Sequence, residues 1–259
     1  MPELPEIETL RRQLSHVLRG ERIIHVEVFD PKIGQLSGLR GRTVKAVRRE
    51  GKAIWIDLDG VLSLRLHLRM SGRLLWRKGP AARPAYARFR FCFRAGELLC
   101  LDPRRFATAQ VRRTETESSG VPDALRMKDA LGLEKAARNR RLPVKTFLMD
   151  QRIIAGIGNI YACEILYEAD VDPCKAAGCV SLQEWRTIAQ AMARVLKIAV
   201  RCRGTSISDW RDLHGDRGEF QNHLQVYDRK GQACRRCGGA VRRIVLGGRG
   251  TYFCPSCQR

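Results

Sequence analysis

No uninterrupted apolar run among the 259 residues approaches the roughly 18 needed to cross a bilayer, and no hydrophobic segment ending in a cleavage site follows Met1. These absences point to a cytosolic protein with no membrane partner. Acidic residues are scarce, 27 Asp plus Glu against 48 Lys plus Arg, which leaves a formal charge of +21. That excess exceeds what solubility requires, and a polyanion is the first partner to expect, bound through released counterions. Charge alone would equally fit a membrane surface or a ribosomal setting. Internal repeats and low-complexity tracts are also missing, which excludes solenoids and arrays. What is present, 44% hydrophobic residues in a chain of this length, suffices for one large or two medium domains, each with its own core.

The most informative stretch is the first, Met1-Pro-Glu-Leu-Pro-Glu6. Pro2 is small enough for Met1 to be trimmed, which would leave a secondary amine beside the carboxylate of Glu3. A free α-amine has a pKa of roughly 7.7 to 8.0, so part of it is unprotonated at neutral pH and able to form a Schiff base with a sugar aldehyde carbon. The same residues also make a good helix start, with proline and acidic side chains in the first turn. The two readings are compatible, since the helix would anchor the amine.

Ile7, Leu10, Leu14, Val17 and Leu18 recur at helical spacing, so an amphipathic helix is expected over residues 3 to 18, ended by Gly20. From Arg22 to Leu101 the period becomes two: Ile24/Val26/Val28, Ile54/Ile56/Leu58, Leu62/Leu64/Leu66/Leu68, Phe89/Phe91/Phe93 and Leu99/Leu101. Such half-buried strands suggest an antiparallel β-sandwich or barrel-like layer. Residues 113 to 123 lack apolar periodicity and read as a hinge. Helices follow around Val144 to Leu148 and Ile160 to Tyr167. A capping box, Ser181 with Glu184, opens the clearest helix, whose apolar stripe runs from Leu182 to Ala199. Residues 204 to 223, rich in Gly, Ser, Asp and Arg, read as a mobile loop able to close over a ligand, or as a plain surface connection.

Cys234, Cys237, Cys254 and Cys257 form C-x2-C-x16-C-x2-C, the spacing of a tetrahedral four-thiolate zinc site. A reducing compartment disfavours two disulfides, and four thiolates leave no position for a catalytic water, so one structural zinc is expected. The remaining cysteines, Cys92, Cys100, Cys163, Cys174, Cys179 and Cys202, show no pattern and read as reduced thiols. The intervening segment is long enough for a β-hairpin, and its Arg242, Arg243 and Arg249 would offer cations to a phosphate backbone. Gly156-Ile-Gly-Asn159 precedes a helix and could hold a phosphate on its amides, or could be a simple turn and cap. Lys52 after Gly51 reads in isolation as a solvated charge. The tip Asp102-Pro-Arg-Arg-Phe106 could fill a gap in a base stack or fold inward. His67 and Met70 close a strand in which either would be ordinary.

Taken in order, Met1-Pro-Glu-Leu-Pro-Glu6, Gly51-Lys52, His67-Leu-Arg-Met-Ser-Gly72, Asp102-Pro-Arg-Arg-Phe106, Gly156-Ile-Gly-Asn-Ile-Tyr161 and the four cysteines resemble the formamidopyrimidine-DNA glycosylase family over essentially the full length. The resemblance implies an α+β protein with a catalytic β-sandwich domain over 1–112 that carries a leading helix. A hinge over 113–123 and a helix-two-turn-helix DNA-binding domain over 124–228 would follow, then a zinc-finger β-hairpin over 229–259, with DNA in the cleft. It implies Pro2 as Schiff-base nucleophile, Glu3 as proton donor for sugar ring opening, Lys52 as phosphate contact and proton donor for β-elimination, and Arg249 as the residue tied to δ-elimination. Met70, Arg104 and Phe106 match the trio that occupies the space of an extruded nucleotide. His67 belongs to the same DNA-binding set, Arg140 and Asn159 match phosphate contacts, and residues 204 to 223 match the loop that covers the extruded base.

The implied activity is that of a monomeric bifunctional glycosylase and AP lyase of the bacterial cytosol and nucleoid. It would act on double-stranded DNA holding an oxidised purine or an abasic site, with no cofactor beyond the zinc. Some positions depart from the family pattern. Ala85-Tyr-Ala-Arg88 stands where histidines are common, Ala107 and Arg69 replace glycines, and Arg203-Gly-Thr205 has one glycine where two are usual. These departures bear on loop closure and lesion choice. Two alternatives are an endonuclease VIII-like glycosylase for oxidised pyrimidines and a zinc-finger protein that binds damage without cutting.

Overall fold

The structure is a computed structural model that describes residues 2–79, 81–113, 120–207 and 209–259. The chain divides into two compact units, one of residues 1–119 with 202–221, the other of residues 120–201 with 222–259. Met1 and residues 114–119 of the expected hinge lie outside the described residues. The division expected from sequence runs straight along the chain. The structure instead returns 202–221 to the first unit, because Trp210 and Leu213 are buried in that unit's core.

In the first unit, helix α1 spans Leu4–Leu18, one residue later than expected. Leu4, Ile7, Leu10, Leu14 and Leu18 fall on one face and are buried, and this burial rather than propensity holds the helix in place. Its start is fixed by a capping box, with the Glu3 amide donating to Glu6 Oε2 at 2.7 Å.

Among the described residues eight strands follow: β1 His25–Val28, β2 Val44–Glu50, β3 Ala53–Leu58, β4 Leu62–His67, β5 Arg73–Arg77, β6 Ala87–Cys92, β7 Glu97–Leu101 and β8 Thr108–Arg113. They form two four-stranded antiparallel sheets, ordered β1-β6-β7-β5 and β2-β3-β4-β8. The alternation in β4 and β6 puts Leu64, Leu66, Phe89 and Phe91 into one core with α1.

The second unit contains α2 Ala130–Ala137, α3 Val144–Leu148, α4 Asn159–Glu168 and α5 Leu182–Arg201, then the hairpin β9 Arg242–Leu246 with β10 Arg249–Phe253. Helix α5 starts at the expected box, Ser181 N–H donating to Glu184 Oε2 at 2.8 Å and Glu184 N–H to Ser181 Oγ at 3.3 Å. Its stripe of Trp185, Ile188, Met192, Leu196 and Ala199 is buried. Inside this unit the Glu164 carboxylate accepts the amides of Gln225, Val226 and Tyr227 and fixes the chain leading to the hairpin. Burial nonetheless pushes the pKa of Glu164 upward. Among the described residues no helix is long and apolar enough to cross a membrane.

Candidate active site and metal centre

Pro2 and Glu3 are buried at the head of α1, Glu3 with 3% of its surface exposed. The carboxylate of Glu6 works in two directions. Oε2 takes the Glu3 amide, and Oε1 takes the Thr205 amide at 2.8 Å. The segment expected to be a mobile loop is therefore tied to the helix head. It is tied again where Gln13 donates to Asp212 at 2.8 Å and accepts from the Leu213 amide at 3.0 Å, and where the Trp76 amide donates to Leu213 O at 2.8 Å. Arg203 occupies a left-handed φ of 58°, a conformation that suits the second glycine usual in the family. Its guanidinium reaches Glu219 at 2.8 Å and lies within 3.7 Å of Asp212 and Asp216, contacts that offset part of the strain.

Lys52 is buried just after Gly51, whose φ of 53° makes the tight β2–β3 turn. Arg49 braces that turn by donating to Gly51 O at 3.0 Å, and its Nε meets Glu8 Oε2 at 3.1 Å. Burial alone would raise the Glu8 carboxyl, but Arg11, Arg12 and Arg49 outweigh it and hold the pKa below the usual range. One carboxylate on α1 thus connects the helix that carries Pro2 and Glu3 to the turn that carries Lys52.

His67 ends β4 and its Nδ1 accepts the Arg69 amide at 3.0 Å, which requires that nitrogen to be unprotonated. Burial first, then the cations of Arg69, Arg65 and Lys52, bring its pKa down to about 4. Met70 and Phe106 are 51% and 46% exposed, unusual for large apolar groups, and Arg104 lies 4.9 Å over the Phe106 ring. All three hang on loops tied to Asp102. That carboxylate accepts Ser71 Oγ at 2.6 Å and the amides of Arg104, Phe106 and Ala107 at 3.2, 2.7 and 2.6 Å.

In the second unit, Asn159 is the first residue of α4, after Gly156 at a φ of 110°. Its Oδ1 accepts Lys145 Nζ at 2.6 Å and its Nδ2 donates to Gly250 O at 2.9 Å. Lys145 also donates to Thr251 Oγ1 at 2.8 Å, so the helix head and the hairpin share one buried cation. Sequence reasoning missed Lys145, because nothing in Val144-Lys-Thr-Phe-Leu148 distinguishes an inward from a solvated lysine. Asp102, Glu8 and Arg49 were missed for the same reason. Arg249 is exposed at the hairpin tip, and Arg140 is exposed with its Nε donating to Ala136 O at 3.0 Å.

The four sulfurs of Cys234, Cys237, Cys254 and Cys257 lie within 4.8 Å of one another. Separations of 3.8 Å for Cys234–Cys257 and 3.5 Å for Cys237–Cys254 exceed the roughly 2.05 Å of a disulfide and approach the edge of a tetrahedron built on Zn–S bonds of about 2.3 Å. The donor set therefore fits one structural zinc. Tyr167, whose ring lies under Arg236 at 4.2 Å, brings its hydroxyl to 3.2 Å from Cys234 Sγ. Burial and neighbouring thiols push Cys257 upward, while at Cys234 burial is outweighed by hydrogen bonds from Tyr167 and backbone amides, which bring it down, so the protons the cluster still holds must leave as the metal binds.

Three family matches cover the chain: the Formamidopyrimidine-DNA glycosylase N-terminal domain over residues 1–109, the H2TH domain of the same glycosylase over 121–210, and the zinc finger found in FPG and IleRS over 231–259. The formamidopyrimidine-DNA glycosylase of Moorella thermoacetica is 41% identical, with 94% of each chain covered. That of Xanthomonas axonopodis pv. citri is 39% identical over the full length of both. Among solved structures, a point variant of Lactococcus lactis FPG in complex with Fapy-dG-containing DNA superposes with a TM-score of 0.93, at 31% identity and 100% coverage of both chains. The wild-type Lactococcus protein with oxidised-pyrimidine-containing DNA gives a TM-score of 0.92 at the same identity and coverage.

Proposed function

Because the chain belongs to the formamidopyrimidine-DNA glycosylase family and is a DNA glycosylase of base excision repair, we propose that it excises oxidised purines, 8-oxoguanine and formamidopyrimidine, and then cleaves the strand as an AP lyase. Pro2, freed of Met1, attacks the sugar anomeric carbon and displaces the base, while Glu3 delivers the proton that opens the sugar ring. A secondary amine yields a permanently charged iminium. That cation acidifies the adjacent sugar proton, whose loss expels the phosphate in β-elimination. Lys52 contacts phosphate and moves a proton in that step, and Arg249 serves the following δ-elimination.

Met70, Arg104 and Phe106 fill the space left by the extruded nucleotide, with His67 beside them. Arg140 and Asn159 hold phosphates, and the zinc fixes the hairpin from which Arg249 projects. The domain limits implied by the resemblance, 1–112, 124–228 and 229–259, enter this reading with residues 202–221 packed into the first of them, as does a monomer acting on duplex DNA in a bacterial cytosol and nucleoid.

The observation that supports the reading most is the link from Glu8 through Arg49 to Gly51, which couples the helix bearing Pro2 and Glu3 to the turn bearing Lys52. A second reading, oxidised pyrimidines as further substrates, follows from the Lactococcus relative whose bound DNA carries such a base. Borohydride added during turnover tests both. A covalent adduct mapped by peptide mass spectrometry to Pro2 is expected with 8-oxoguanine and formamidopyrimidine duplexes. The yield with 5-hydroxycytosine decides the second reading. An adduct at another residue, or none with any lesion or abasic site, overturns the mechanism.

A further inference from the structure

Arg88 lies in the stretch that departs from the family's histidines, and it turns inward, with 2% of its surface exposed. Its Nη1 donates to Asp102 Oδ2 at 3.2 Å, and its Nε forms an ion pair with Asp30 Oδ2. A guanidinium withdrawn this far from water needs both carboxylates to offset its desolvation. Each carboxylate in turn grips the exposed 103–106 loop. Asp102 does so through the Arg104, Phe106 and Ala107 amides, and it reaches Ser71 beside Met70. Asp30 does so from the other side, taking Arg105 Nε at 2.7 Å and pairing with Nη2, while it also accepts the Lys32 amide at 3.0 Å.

The loop so held is strained. Arg105 sits at a φ of 58°, and Tyr86, whose carbonyl accepts the Asp102 amide at 2.9 Å, at 63°. Arg105 holds the Asp30 carboxyl well below the ordinary carboxylate range, so the pair is ionised throughout the working pH. Phe106, Met70 and Arg104 nevertheless stay on the outside, although an unbraced loop would fold its large apolar groups inward.

We propose that Arg88 and Asp30 are positioning residues: the chain Asp30–Arg88–Asp102 pre-organises Met70, Arg104 and Phe106 so that the space of an extruded nucleotide is filled without a further ordering penalty. The proposal rests on the reading of those three residues given above. Pre-organisation tells at the step where a stacked base leaves the duplex and matters little where no base is present.

The test compares single-turnover base excision from an 8-oxoguanine duplex with borohydride trapping on a duplex that already holds an abasic site. The proteins are the wild type, Arg88→Met, Asp30→Asn, Phe106→Ala and the combination of Phe106→Ala with Asp30→Asn. Asp30→Asn leaves the Arg88–Asp102 contact in place and serves if Arg88→Met does not fold. Excision is expected to fall tenfold or more in each single variant, and trapping less than threefold in Arg88→Met and Asp30→Asn. Adding Asp30→Asn to Phe106→Ala is expected to lower excision clearly less than Asp30→Asn does alone, since a brace acts only through what it holds and only Met70 and Arg104 then remain.

Full additivity, excision within twofold of wild type, or equal loss of excision and trapping overturns the brace. A wild type that neither excises nor traps overturns the functional reading instead.

Discussion

Glu6 and Thr205 stand 199 positions apart in the chain and 2.8 Å apart in the structure, the Thr205 amide donating to Glu6 Oε1. The other oxygen of that carboxylate takes the Glu3 amide at 2.7 Å. A shift of Glu6 is therefore felt at once by the helix head that carries Pro2 and by the segment read as the cover of the extruded base.

Gly204→Ala tests this clasp. Gly204 has a φ of 84°, and a Cβ there would stand 2.5 Å from Glu6 Oε1. Left-handed strain of roughly 1–2 kcal/mol adds to the displaced carboxylate, and a total loss of about 2–4 kcal/mol is expected in denaturant unfolding. Base excision should fall at least tenfold with zinc content unchanged. A variant as stable and active as wild type would remove Glu6 from this role.

His67 gives a pH dependence of defined sign. Its folded pKa of about 4 lies below the ordinary value of 6.5, so between those values the unfolded chain binds more protons than the native one. Its contribution is fully present above 6.5 and is lost as pH falls through 4. His67→Gln should flatten the stability profile across that window by roughly 1–2 kcal/mol, screening included. Thermal melts of both proteins between those limits provide the comparison.

Metal removal should unfold the hairpin selectively. Cys237→Ser, or exhaustive chelation, is expected to abolish the single zinc and to weaken binding to an abasic-site duplex tenfold or more, while the buried core around α1 keeps its melting transition. Because zinc is held by thiolates, protons compete with the metal, and release to a colorimetric chelator should quicken as pH falls. Release at a rate independent of pH would contradict the four-thiolate site.

Lys145→Met keeps an unbranched apolar stem, one atom shorter, and deletes its cation. Thr251 Oγ1 loses a donor in a buried setting, at a cost of about 1–3 kcal/mol, and the half-buried Asn159 Oδ1 loses one as well at a smaller cost. The expected result is lower stability together with a several-fold weaker DNA affinity, read by fluorescence anisotropy. Unchanged affinity in a destabilised variant would confine Lys145 to a structural role.

The parts of the fold that the sequence made legible are those with a strong local signal: α1, the Ser181–Glu184 box, the four cysteines, strands β3, β4, β6 and β7, and one edge strand, β1, through Val26 and Val28. Strands β2, β5 and β8 were not among the alternating runs, and all three are edges of their sheets. Edge strands bury one flank less and carry charges that deter pairing with other chains, here Lys45, Arg48 and Arg49 in β2, Arg73 and Arg77 in β5, and Arg112 and Arg113 in β8. The 204–223 stretch read as a loop from composition. Trp210 and Leu213 fill a core distant in sequence, a contact no local window contains. Among candidate site residues, Pro2, Glu3 and Lys52 were visible through ordered motifs. The buried charges that hold site residues, Glu8 and Arg49 at the Lys52 turn, Arg88 at the 103–106 loop and Lys145 at Asn159, look like any solvated residue until the structure shows what surrounds them.

The return of residues 202–221 to the first unit bears on biosynthesis. A nascent polypeptide of 119 residues has all eight strands of the sandwich behind it, yet it still lacks Trp210 and Leu213 from the middle of its core. Translation must run well past Leu213 before that vacancy closes. Ribosome-bound intermediates should therefore stay protease-sensitive until residue 213 has cleared the exit tunnel, and the two units then mature nearly together.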